Sequence, residues 1–337
     1  MTTNTSPLFA LLLLLAASPL HADPLKSIND PRMNWYKEAK FGLMIHWGMY
    51  AVPAGYWSKD KTFDSWLHAD EGALEQVSGY AEQIMKNAQT RPEEYNKIAE
   101  VFDWSKWNAQ DIIDLCHATG QRYVVVTAKH HDGFAMYHSK ASKFNIVDAT
   151  PHGRKTGRDP LKELADACHA TETNGSPWPI KMCFYYSHCV DWQEDGTHPH
   201  GYQYVKGPDA ELFQTYFENK LFPQVRELMH NYGDVGLVWF DVPRVPFSTE
   251  QAKRIVDMMR EAQPAILING RLGREEFVDY LVSGDNGVAG VPTDYYWETP
   301  ASINHTYGYG KWDTDRKSWE ELADCWSSAP HITETTC

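Results

Sequence analysis

Apolar residues along this chain change their spacing in a repeating order, and that order predicts helices alternating with strands. Asn108 can cap a helix in which Asp111 is the third residue and Ile112, Leu115 and Cys116 share a face; Gly120 stops it ahead of the apolar run Tyr123–Thr127. Asp159-Pro160 offers a cap and a first-turn proline for the next helix, and after Gly175 comes the apolar run Ile180–Tyr186. A longer helical stretch, about 210–231, contains Pro223, where a kink is expected because proline lacks the N–H and crowds the preceding turn. It stops at Gly233, before the run Gly236–Phe240. Ser248 and Gln251 have capping-box spacing, their helix closes before Pro264, and Ala265–Asn269 reads as another strand. Near the start, Phe41–His46 is a strand.

The strands are nearly continuous apolar runs, as in a parallel sheet covered on both faces. Each delivers a polar cluster at its end: His46, then Lys129 to Asp132, then Ser187, His188 and Asp191, then Asp241. Reactive side chains at strand C-termini predict an α/β fold of the (β/α)8, TIM-barrel type, occupying about 23–324 as one domain. The polar stretch from about Trp57 to Trp104 shows no clean strand and reads as a helical excursion over the barrel mouth.

Composition narrows the function. With 31 basic against 45 acidic side chains the formal charge is −14, which gives no cationic footprint for nucleic acid or an anionic membrane. Thirteen Trp, 18 Tyr and 13 Phe fit either an aromatic-rich core or flat faces for sugar rings. Six Cys show no paired spacing of a zinc or redox site, so Cys116, Cys168, Cys183 and Cys189 are expected as buried small hydrophobes. The apolar run Leu8–Ala17 is too short to span a bilayer but has the length of a signal-peptide core. Cleavage is expected after Ala22, with export to the periplasm or medium and no membrane attachment afterwards.

Read in order, His46-Trp47-Gly48, His130-His131-Asp132-Gly133-Phe134, Tyr185-Tyr186-Ser187, Trp239-Phe240-Asp241 and Trp297-Glu298-Thr299 resemble the α-L-fucosidases of glycoside hydrolase family 29. The resemblance runs from about Trp35 to Asp324 and implies an exo-acting retaining glycosidase, in which one carboxylate attacks the anomeric carbon and a second serves as acid and then base. It implies Asp241 as nucleophile. It further implies His46, His130 and His131 as binders of sugar hydroxyls and Tyr185, Trp239, Trp57 and Trp297 around the sugar. The expected substrate is a fucosylated oligosaccharide or glycoconjugate, with no cofactor and no metal.

The acid/base is where this chain departs from the family. The usual Glu about forty residues after the nucleophile is absent from Asp279-Tyr280-Leu281-Val282-Ser283-Gly284-Asp285-Asn286, which leaves Asp285 and Glu298 as alternatives. A retaining α-L-galactosidase and a catalytically impaired sugar-binding protein are the competing functions. Residues 325–337 continue neither the period nor the motifs, and a one-nucleotide deletion before the Cys325 codon is the expected cause. A chain so read would lack its last barrel strand.

Overall fold

The computed structural model describes residues 29–287 and 295–322, apart from 177 and 319. The signal segment expected over 1–22 and the tail 325–337 lie outside the described residues.

In chain order the strands are β1 (Gly42–Ile45), β2 (Tyr56–Trp57), β3 (Glu75–Gln76), β4 (Tyr123–Lys129), β5 (Lys181–Ser187), β6 (Leu237–Asp241), β7 (Leu267–Ile268), β8 (Leu281–Val282) and β9 (Trp297–Glu298). The strand period of two sends alternate side chains to two apolar cores. Tyr123, Val125, Cys183, Tyr185, Leu237, Trp239 and Leu267 pack together inside the curved sheet. Val124, Val126, Phe184, Val238 and Phe240 face outward, onto helical residues such as Ile113, Leu161, Val225 and Ile255. Both faces of the central strands are therefore buried, as the unbroken apolar runs require.

The strands pair in parallel in the order β1-β4-β5-β6-β7, with Gly42 opposite Tyr123, Tyr123 opposite Lys181, Phe184 opposite Val238 and Leu237 opposite Leu267. Parallel neighbours need crossover segments, supplied here by helices Pro160–Thr173, Ala210–Asn231 and Thr249–Ala262. A bridge from Asn269 to Tyr280 carries the order on to the parallel pair β8 and β9. This is the TIM-type barrel expected. Among the described residues the ladder does not close into a ring. Residues 300–316 instead lie beside β1, where His46 bridges to Gly308 around a cavity of about 650 Å³.

The caps sit where the sequence places them. Asn108 Oδ1 accepts from the Gln110 amide and Asp159 Oδ1 from the Leu161 and Lys162 amides, while Ser248 and Gln251 form a reciprocal capping box. Three details differ. The buried face of Ala109–Thr119 is Ala109, Ile113 and Cys116, spaced four and three apart, and Leu115 is exposed. The irregularity expected at Pro223 is a π-helical turn over Phe217–Leu221, just before the proline whose missing N–H leaves a carbonyl one turn back without a donor. The 57–104 excursion holds short helices but also a two-residue antiparallel pairing of β2 with β3, too polar at Glu75 and Gln76 to show an alternating pattern. All four expected Cys are buried thiols. No helix among the described residues is long and apolar enough to cross a membrane.

Candidate active site

The ends of β1, β4, β5 and β6, the turns after β7 and β8, the 57–104 excursion and the loop after β9 converge on a cavity of about 40 Å³ at the C-terminal face of the sheet. Asp241, the last residue of β6, lines it. Its Oδ2 accepts from the Tyr185 hydroxyl at 2.7 Å and its Oδ1 from Arg271 Nη1 at 2.9 Å. Burial pushes the Asp241 carboxyl up, but the Arg271 charge and these two hydrogen bonds outweigh it and hold the group below the usual carboxylate range. A buried carboxylate that stays ionised, with its remaining lone pairs open to a cavity, is equipped to attack an electrophilic carbon.

Arg271 sits on the helical turn Gly270–Leu272 that follows β7, and its guanidinium carbon lies 4.8 Å from the Trp239 ring centroid. Its second nitrogen donates to Asp285 Oδ1, on the turn after β8. One guanidinium thus spans two carboxylates on the same cavity. Sequence reading missed Arg271, although Asn269-Gly270-Arg271 follows a strand as the other polar clusters do.

Glu298 occupies a different place. It is fully buried in β9, its Oε2 accepts from Trp239 Nε1 at 2.8 Å, and it does not line the cavity. Its carboxylate fixes the indole from behind. Trp297 is likewise buried in β9 away from the cavity, and Trp57 is stacked on Trp66 with ring centroids 5.4 Å apart, inside the packing of the excursion. The excursion reaches the cavity with other residues, Tyr80, Glu82 and Gln83. Glu82 ties it to the loop after β9, accepting from the Thr306 hydroxyl at 2.8 Å and the Gly308 amide at 2.7 Å. Nothing in the polar run of residues 57–104 marks these three out.

The histidines line the opposite wall. His46 follows β1, and the His130–His131 pair follows β4, where the strand has ended and adjacent side chains can turn to one side. Gly133 makes that turn with φ of +77°, and a Cβ there would stand 2.4 Å from Asp191 Oδ1. Ring centroids of His130 lie 5.6 Å from His46, 4.2 Å from His131 and 5.5 Å from Tyr185, which in turn stacks on Trp239. Burial lowers the His46 pKa to about 4 and pushes His130 and His131 well below the usual range. All three are neutral near pH 7, and each can donate from one nitrogen and accept at the other. The Nδ1 atoms of His46 and His130 are buried with no protein partner among the described residues. No group of three or more His, Cys, Asp or Glu among the described residues is gathered to hold a metal ion.

The sequence profile of the alpha-L-fucosidase family matches residues 16–325. The chain belongs to that family. It is similar to the tissue alpha-L-fucosidase of Rattus norvegicus, 32% identical over 69% of this chain and 46% of the relative. It also resembles the solved alpha-L-fucosidase AlfC of Lactobacillus casei in complex with its alpha-L-fucose product, with a TM-score of 0.73, 34% identity and 90% of each chain covered. Against the alpha-L-fucosidase of Vibrio sp. strain EJY3 the TM-score is 0.76 at 30% identity, covering 91% of this chain and 50% of that one. The chain spans about half the length of the rat relative. The family member described here thus has its strand-end carboxylate, arginine and histidines on one cavity.

Proposed function

We propose that the chain is an exo-acting α-L-fucosidase that removes terminal α-L-fucosyl residues from oligosaccharides or glycoconjugates with retention of configuration. The observation that carries this reading is the pair of carboxylates, Asp241 and Asp285, on one cavity walled by neutral histidines and the Tyr185–Trp239 stack. A neutral His can both donate and accept, which suits sugar hydroxyls, and the aromatic wall suits the apolar face and methyl of a deoxysugar. Related enzymes bound to fucose and to Fuca(1,6)GlcNAc support the choice of sugar.

In the mechanism, an Asp241 oxygen attacks the anomeric carbon as the glycosidic C–O bond breaks, and the Asp285 carboxyl gives its proton to the leaving oxygen. Asp285 then takes a proton from water, which attacks the same carbon and frees Asp241. Asp285 is assigned the acid/base role over Glu298 because it lines the cavity, whereas the Glu298 carboxylate is engaged with Trp239. The Asp285 oxygen that accepts from Arg271 carries no proton to give, so this contact parts when the glycoside binds. The Asp285 side chain is about one-third exposed and has room to move. Export remains part of the proposal on the strength of the Leu8–Ala17 run alone.

Azide rescue tests the assignment. Asp285→Ala should lose hydrolysis of natural fucosides far more than of activated aryl fucosides, and with azide should yield α-L-fucosyl azide. Asp241→Gly should lose both and yield the β-azide. An Asp285→Ala enzyme that keeps wild-type rates on natural fucosides contradicts the two-carboxylate scheme.

A further inference from the structure

Ser187 closes β5 beneath the histidine wall and is fully buried. Its hydroxyl oxygen lies 2.8 Å from the Val190 carbonyl oxygen and 2.7 Å from His131 Nδ1. A carbonyl oxygen only accepts, so the single hydroxyl proton of Ser187 is committed to Val190. The remaining contact works only if His131 Nδ1 carries a proton and donates it to Ser187. A neutral imidazole has one N–H, so Nε2 is then bare. Nε2 faces Asp241 Oδ2 at 3.8 Å, beyond hydrogen-bond length, as two acceptors require. His46 and His130 have no such relay, since their Nδ1 atoms lack a protein partner among the described residues.

We propose, building on the function just stated, that Ser187 is a positioning residue: by relaying the Val190 carbonyl to His131, it fixes the tautomer in which Nε2 meets the sugar purely as an acceptor. Two consequences follow for the reaction. A ring hydroxyl of the sugar must donate to Nε2, which selects the orientation of that hydroxyl. Asp241 is also spared a further donor. With Nε2 protonated, His131 would turn toward Oδ2 and tie up the oxygen that Tyr185 already holds, leaving the nucleophile less free to attack.

The tautomer can be read directly. Long-range proton–nitrogen correlation spectra of the 15N-labelled protein separate protonated from bare ring nitrogens, and the His131 signals are those lost in His131→Gln. We expect a protonated Nδ1 and a bare Nε2 in the wild type. Ser187→Ala should move the proton to Nε2, raise KM and lower kcat/KM for an aryl α-L-fucoside about 10- to 100-fold, by analogy with the loss of a partner that orients a metal-bound histidine. Ser187→Thr, which restores the hydroxyl, should recover the tautomer and most of the activity. A protonated Nε2 in the wild type overturns the proposal whatever the variants do, including the case in which Ser187→Ala fails to fold. An Ala variant with unchanged tautomer and unchanged kcat/KM overturns it equally. Absence of any fucoside turnover by the wild type would instead defeat the proposed function, while the spectrum still decides the tautomer.

Discussion

At the scale of single residues, the site depends on keeping charge in one place. Asp241 is ionised because Arg271 and Tyr185 outweigh its burial, and the neighbouring histidines are neutral because burial outweighs the pull of the Asp241 charge. This has a signed consequence for stability. His46 titrates near 4 in the folded chain against 6.5 when unfolded, so below pH 6.5 the unfolded chain takes up a proton that the native one refuses. Its contribution is complete above about 6.5 and is lost as pH falls towards 4. Asp241, also depressed, adds a loss at lower pH, below the ordinary carboxylate range. The Tm should therefore drop between pH 6.5 and pH 4, and His46→Gln, which cannot titrate, should flatten that drop. Thermal melts across the range check it, and an equal slope in both proteins would contradict it.

At the scale of elements, the strand ends are anchored by a buried charge cluster behind the histidines. Lys129, in β4, and Lys220, in the π turn, both lie 2.9 Å from Asp191 Oδ2, and all three are nearly inaccessible to solvent. Asp191→Ala would leave Lys129 buried without a carboxylate and Lys220 with Glu194 alone, 3.2 Å away. A loss of about 3–5 kcal/mol is expected from urea unfolding, together with reduced kcat/KM, because Lys129 precedes the His130–His131 turn. A loss under about 1 kcal/mol would show that the cluster is hydrated and not anchoring. Elements of this kind were only half legible in the sequence. Caps, Gly stops and apolar runs placed the helices and the central strands, since those signals are local. The polar cluster after β4 was visible, but Lys220, which shares Asp191 with Lys129, lies 91 positions from Lys129 and no local pattern joins them. For the same reason Tyr80, Glu82 and Arg271 escaped notice, and Glu298 looked as suitable as Asp285 until the indole of Trp239 was seen to occupy it.

At the scale of the whole molecule, the arrangement is a parallel sheet curved around an aromatic interior, with its chemistry at one end. Asp279 ties the start of the described chain to its later elements. It is nearly buried, and its carboxylate accepts from Arg32 Nη2 at 2.7 Å, Arg260 Nη2 at 3.0 Å and the Ile268 amide at 2.9 Å. The N-terminal segment, the last long helix and β7 thereby share one anchor beneath the turn that carries Asp285. The barrel brings Asp241 and Asp285 to one cavity from strands 40 positions apart, and the account stands on the first of them forming a covalent bond to the sugar. The most direct measurement is trapping with a 2-deoxy-2-fluoro-α-L-fucosyl fluoride followed by mass mapping of proteolytic peptides, because the fluorine slows release of the glycosyl-enzyme. The account predicts one added fluorofucosyl group, on the peptide holding Asp241, with loss of activity in step with labelling. A label on another carboxylate, or turnover of fucosides that releases the β-anomer first with no label formed, would contradict it.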